Sequence, residues 1–200
     1  MAEALLTKNS DPWQSGVLQP EHHDRLVANI DQIAQRAGLG MANKHMIWTS
    51  ADLKTAEMNW CQLAVEMART DTAWPRLQIG ICYTQNQFEA EQTMLAMTGL
   101  LVRNFVDARM MTRMDVVAER KDNRGPIEAT VLMVPDFALP EYVESMPAWE
   151  RTVMAEFVHE RIRDGLPTCL FVGVSMDLLK SKLPSVHADL QSAFKVEALI

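Results

Sequence analysis

Two short runs, Thr130–Val134 and Thr168–Val174, carry no charge and show no alternation of apolar with polar residues. A strand with one wet face alternates, so these two read as strands covered on both faces, which is the position of central strands in a parallel sheet. Parallel neighbours cannot be joined by a tight turn and need crossover helices between them. From Pro75 onward the chain supplies that order. Leu77, Ile79, Ile81 and Tyr83 alternate as a strand, and residues 88–105 read as a helix with Phe88, Leu95, Thr98, Leu101, Val102 and Phe105 on one side. Ala108–Thr112 reads as a short strand, and Asp115–Arg120 as the start of a helix cut off by the turn-rich Lys121–Pro126. Residues 147–164 form a long helical pattern (Val153, Met154, Phe157, Val158, Ile162) stopped by Gly165 and Pro167. Met176–Leu183 reads as a short helix capped by Ser175, and Ala193–Leu199 as a last strand. The expected fold is a three-layer α/β domain with a mainly parallel five-stranded sheet.

A helical N-terminal segment precedes it. Residues 1–20, with Pro12, Gly16 and Pro20, read as a loose arm. Residues 21–38 read as a helix with Leu26, Val27, Ile30, Ile33 and Ala34 at helical spacing and Gly38 as its stop. Residues 51–69 read as a second helix, capped by Ser50, with the stripe Leu53, Ala56, Trp60, Leu63, Ala64 and Met67.

The composition, 48% hydrophobic and 22% charged, is that of a folded globular chain and argues against disorder as the main state. No apolar run approaches the roughly 18 residues of a membrane span, and no leader pattern is seen. Cys61, Cys82 and Cys169 cannot all pair and lack CxxC spacing, so they read as buried thiols in a reducing cytoplasm. The 14 methionines read as core filler. A net charge of −7 disfavours unaided nucleic-acid binding and leaves such contact indirect. Arg109, Arg113, Arg120, Lys121 and Arg124 form a local basic cluster, read first as a solvated face and second as a contact for an acidic partner or nucleic acid.

In a nucleotide-binding α/β domain the site lies at the carboxyl ends of the strands. The segment after the first strand, Gly80 to Thr93, contains no lysine and no glycine beyond Gly80, while Glu89 and Glu91 stand where a phosphate would approach the helix. Val131 to Phe137 is an apolar strand with one acid, Asp136, behind Pro135; Asp136 reads as a cap or turn residue. Glu156 and His159 have ExxH spacing but form a single copy, His22–His23 lacks further ligands, and Ser185, His187 and Asp189 are too close in sequence for a catalytic triad and read as surface.

The order of these segments resembles a known family. Gly40-Met-Ala-Asn-Lys-His45, the Trp60 helix, Ala108 to Val117 with Thr112 and Asp115, Val131–Leu139, and Ile162 to Thr168 with its "GLPT" stretch resemble the AAA+ ATPases that load the bacterial replicative helicase and their insertion-sequence helper relatives. The resemblance covers about residues 40–199. It implies a P-loop NTPase-like domain over 46–200 behind an N-terminal arm and helix at 1–45, with the first strand between the fourth and fifth. It also implies that the Walker A lysine position is Gln92, with only Thr93 kept, that the positions of the Walker B acids hold Pro135 and Asp136, and that the position of the sensor asparagine holds Gly173. Residues 182–193 hold no arginine to reach a neighbour's ATP. Parts of a phosphoryl-transfer site act as a unit, so joint loss implies no ATP or Mg²⁺ cofactor and no hydrolysis. The implied function is protein contact with a replicative helicase or another AAA+ protein, as adaptor or inhibitor, through Leu26, Ile30 and Ile33 and secondarily Arg120 and Arg124. Two alternatives stand beside it: a working loader with an atypical nucleotide site, and an unrelated α/β protein.

Overall fold

The computed structural model describes residues 20–48, 53–70, 72, 74, 79–123 and 127–197. The expected arm at 1–19, the Ser50 cap, the start of the first strand, Arg124 and the last residues of the final strand lie outside them. Five parallel strands, β1 (Gly80–Tyr83), β2 (Ala108–Met110), β3 (Val131–Ala138), β4 (Thr168–Val172) and β5 (Phe194–Glu197), form one sheet in the order β2-β3-β4-β1-β5. β1 therefore lies between β4 and β5, as the resemblance implies.

On one face lie α1 (Pro20–Arg36), the short 3-10 turn Lys44–Ile47, α2 (Thr55–Thr70) and α3 (Gln87–Arg103); on the other lie α4 (Arg113–Asn123), α6 (Ala148–Arg163) and α8 (Pro184–Ala193). Two short helices, α5 (Pro140–Ser145) and α7 (Met176–Lys182), follow β3 and β4. Every residue of β1 and β4 is buried, as their uncharged composition requires.

α3 is hidden all round over Met94–Arg103, because it is sandwiched between the sheet and the Lys44–Ile47 turn. Its assigned apolar side needs correction at both ends: Phe88 is 70% exposed, and Phe105 lies beyond the helix, half exposed with φ +61°. β3 runs past its expected end. Between Val134 and Ala138 it advances four residues while β4 advances two, from Leu170 to Val172, so the extra residues bulge and Pro135 is asked for no ladder N–H.

α1 also needs correction. Leu26 is only 1% exposed, Ile30 and Ile33 are half-buried against the core, and Ala34, Ala37 and Leu39 belong to the same buried cluster as the sheet. The Met110 N–H donates to Ala37 O at 2.8 Å, and Gly38 makes the turn at φ +71°. The stripe expected to meet a partner is spent on this domain.

At the amino ends of β3 and β4, Arg161 is buried. Its Nη1 donates to Ala129 O (2.6 Å) and Ile127 O, its Nη2 to Pro167 O (2.9 Å) and Thr130 O, and its Nε to Thr168 Oγ1 (2.9 Å). One guanidinium thus gathers five acceptors at the strand entrances, of which Ile127 O and Pro167 O also accept the Ala129 and Leu132 N–H groups. Burial pushes its pKa down to about 9, which leaves it charged at neutral pH.

Candidate functional site

Four of the strands deliver helices at the carboxyl edge of the sheet, where a nucleotide would sit. The β1–α3 connection is residues 84–86, Thr-Gln-Asn. The Thr84 N–H donates to Glu197 O, extending the β5 pairing, and Asn86, at φ +52°, accepts the Glu89 N–H at 3.3 Å as the helix cap. A phosphate loop needs a glycine, four residues and a Gly-Lys pair before its helix proceeds. Three residues cannot encircle a phosphate, and the first turn holds the exposed Glu89.

Gln92 and Thr93 are the sixth and seventh residues of α3, about 8 and about 9 Å along the helix from its start. They do not occupy the helix entrance, where a phosphate-binding lysine would stand, so the matching of Gln92 to that position needs correction. Pro135 and Asp136 lie in the β3 bulge, beside Gly173, whose N–H donates to Ala138 O at 2.8 Å. These three do gather at neighbouring strand ends. A Cβ on Gly173 would approach Phe171 and Leu139 side chains at 3.0 and 3.2 Å, so a larger residue here would meet tight apolar neighbours.

Asp136 has a structural occupation. It accepts the Arg113 N–H at 2.7 Å, tying β3 to the start of α4. Burial raises its carboxyl above the ordinary range against the opposing Arg113 bond and charge. Thr112 and Asp115 form a reciprocal cap: Asp115 Oδ2 accepts from the Thr112 hydroxyl at 2.6 Å, and Thr112 Oγ1 accepts the Asp115 N–H at 3.2 Å. Beside them Arg113 is buried, ion-paired with Glu150, with its guanidinium 4.2 Å over the Tyr142 ring and 3.3 Å from the Met114 sulfur.

At the other end of α4, Arg120 is only 8% exposed and is held by Glu160 (2.6 Å) and Glu156 (3.8 Å) of α6. Its assignment as an outward partner contact needs correction, because its charge is used to join two helices. The same bond explains Glu156. His159 meets Asp189 at 3.7 Å, and among the described residues no group of three potential ligands could hold a metal. His187, expected at the surface, is buried in α8.

The hydroxyl of Tyr83, at the end of β1, donates to Glu57 Oε1 at 2.8 Å, with both groups buried. This pair went unread in the sequence, although Glu57 falls three and four residues before Trp60 and Cys61 on a helical face. The three cysteines are buried and free, and burial lifts all three thiols, Cys82 to about 12, so none is a ready nucleophile. Phe88, Met114 and Trp149 are exposed, each the second residue of a helix that starts at this edge, and pattern reading singled out neither Met114 nor Trp149.

No protein-family model and no curated sequence matches the chain. Solved structures do. A crystal structure of DnaI shares 13% identity over 78% of this chain and 90% of that one, with a TM-score of 0.52. A DnaC helicase loader shares 13% identity over 75% and 94%, with a TM-score of 0.50. A protein from Streptococcus pyogenes serotype M3, described as a primosome component, shares 13% over 84% and 94%, with a TM-score of 0.55. At this identity the likeness is one of fold: the chain has the α/β fold of these DnaI, DnaC and primosome-component structures.

Proposed function

We propose that this chain is a catalytically inactive AAA+-like relative of the helicase loaders, working by protein contact in DNA replication or transposition as an adaptor or inhibitor of a helicase or loader. The observation that carries the reading is the connection of three residues between β1 and α3, with no glycine or lysine and an acid in the following turn. The strand ends at Pro135, Asp136 and Gly173 are likewise committed to a bulge, a helix tether and apolar packing. A scaffold kept without its phosphate cradle retains its surface as the useful part. The charge of −7 favours a protein partner over bare nucleic acid.

Calorimetric titration with millimolar Mg-ATP is expected to give no binding heat and no phosphate release. A micromolar dissociation constant would overturn inactivity and favour a working loader with an unusual site. A purified replicative helicase is expected to form a complex with the full chain in sedimentation. Failure to do so would remove the helicase as the partner class.

A further inference from the structure

We propose that the carboxyl edge of the sheet around Arg113 is a docking face for a basic amphipathic segment of a partner protein, one carrying lysine or arginine beside a row of apolar side chains. The inference rests on the reading that the chain acts by protein contact, and supplies the face and the partner's chemistry.

Three elements meet at the Arg113 guanidinium. Glu150 of α6 neutralises it, the Tyr142 ring of α5 stacks against it at 4.2 Å, and the Met114 sulfur of α4 is 3.3 Å away. This buried arrangement forms a firm floor. Around it stand Met114, 58% exposed, and Trp149, 53% exposed, with Tyr142 half-buried between water and the floor. Side chains in the first turn of a helix lean toward its N-terminus, so Met114 and Trp149, each second in its helix, project outward from the sheet edge. Trp, Tyr and Met over a desolvated Arg is the composition of the energetic centre of an interface, not of an idle surface.

The rim selects the occupant. Asp115, Glu141 and Glu144 are exposed around this apolar centre, and α5 contributes two acids and no base. The Arg113 charge is offset by Glu150, so the exposed Asp115, Glu141 and Glu144 outnumber the one further base in the first turn of α6, Arg151, and the face is net acidic. It repels a phosphate backbone and attracts a cationic segment. A second copy of this chain would bring the same acidic rim and a further −7 of charge, so self-association through this face is disfavoured.

The test uses the full chain carrying methyl-labelled methionine, with the Met114 signal assigned by Met114→Leu. The probes are a synthetic amphipathic leucine/lysine peptide and its leucine/glutamate counterpart. The lysine peptide is expected to shift the Met114 methyl and the glutamate peptide to leave it in place. Trp149→Ser, with the other methionine signals unchanged as proof of folding, is expected to weaken binding at least about tenfold. Glu141→Gln with Glu144→Gln is expected to weaken binding and flatten its salt dependence. Equal response to both peptides, an unmoved Met114, or full affinity in Trp149→Ser would each overturn the proposal, as would a doubled mass without peptide that Trp149→Ser abolishes. A helicase that binds the parent and Trp149→Ser equally sinks this face while the contact reading stands. A helicase that binds neither, with the peptide results as expected, sinks that partner class and leaves the face supported.

Discussion

Asp136 shows how a residue that looks like the relic of a catalytic acid is kept by the fold. It accepts the Arg113 N–H at 2.7 Å, one of the donors that the start of α4 would otherwise leave unpaired. Burial dominates its titration and raises the folded pKa. The native state then holds a proton where the unfolded chain has lost it, so stability falls as pH rises through that window. The contribution is complete below the unfolded value of about 3.9 and lost above the folded one. Asp136→Asn keeps an acceptor for the Arg113 N–H and removes the ionisation. It is expected to erase this part of the pH slope in urea midpoints taken between about pH 4 and about pH 7, and to be at least as stable as the parent at neutral pH. Asp136→Ala also cannot ionise but lacks the acceptor, and is expected to lie about 1 kcal/mol below Asp136→Asn at every pH in that range. Which acid stands here was legible in the sequence. That its partner is a backbone N–H twenty-three positions earlier was not, because no periodicity links a bulge in β3 to the entrance of α4.

Among the elements, α3 decides the most. Its middle glycine, Gly99, touches the Lys44–Ile47 turn so closely that an added Cβ would lie 2.2 Å from Met46 O and 2.5 Å from its carbonyl carbon. Helix propensity alone favours alanine over glycine by about 1 kcal/mol. The clash is with backbone, which no rotamer relieves, so sterics win. Gly99→Ala is expected to lower stability by at least about 2 kcal/mol in denaturant unfolding; a rise would show that the turn can retreat. The long periodic helices were legible to within a few residues because their buried faces repeat. Even Arg161 lies on the buried face of α6, seven residues after Met154 and four after Phe157, although its role was not read there. α5 and α8 were missed. One has six residues, and both open on a proline at the first turn, a residue that also reads as a breaker.

At the scale of the molecule, the N-terminal helix is part of the domain. Removing residues 1–38 would uncover the surface covered by Leu26, Ala34 and Ala37 and break the Ala37–Met110 bond at the edge strand β2. The truncated chain is expected to unfold at lower urea and to associate through the opened edge, seen as excess mass in sedimentation. A monomer of parental stability would show that α1 is a detachable arm. Composition alone determined the layered parallel architecture, since uncharged strands such as Val131–Val134 and Leu170–Val172 are stable only with both faces covered, and that requirement is written in each strand's own residues. Only the tertiary structure decided that α1 spends its apolar stripe inward, that Arg120 is held by α6, that the β1–α3 connection has three residues, and that Met114, Tyr142 and Trp149 share one edge. Those facts depend on distances between residues remote in the chain, which the spacing of side chains along it does not encode.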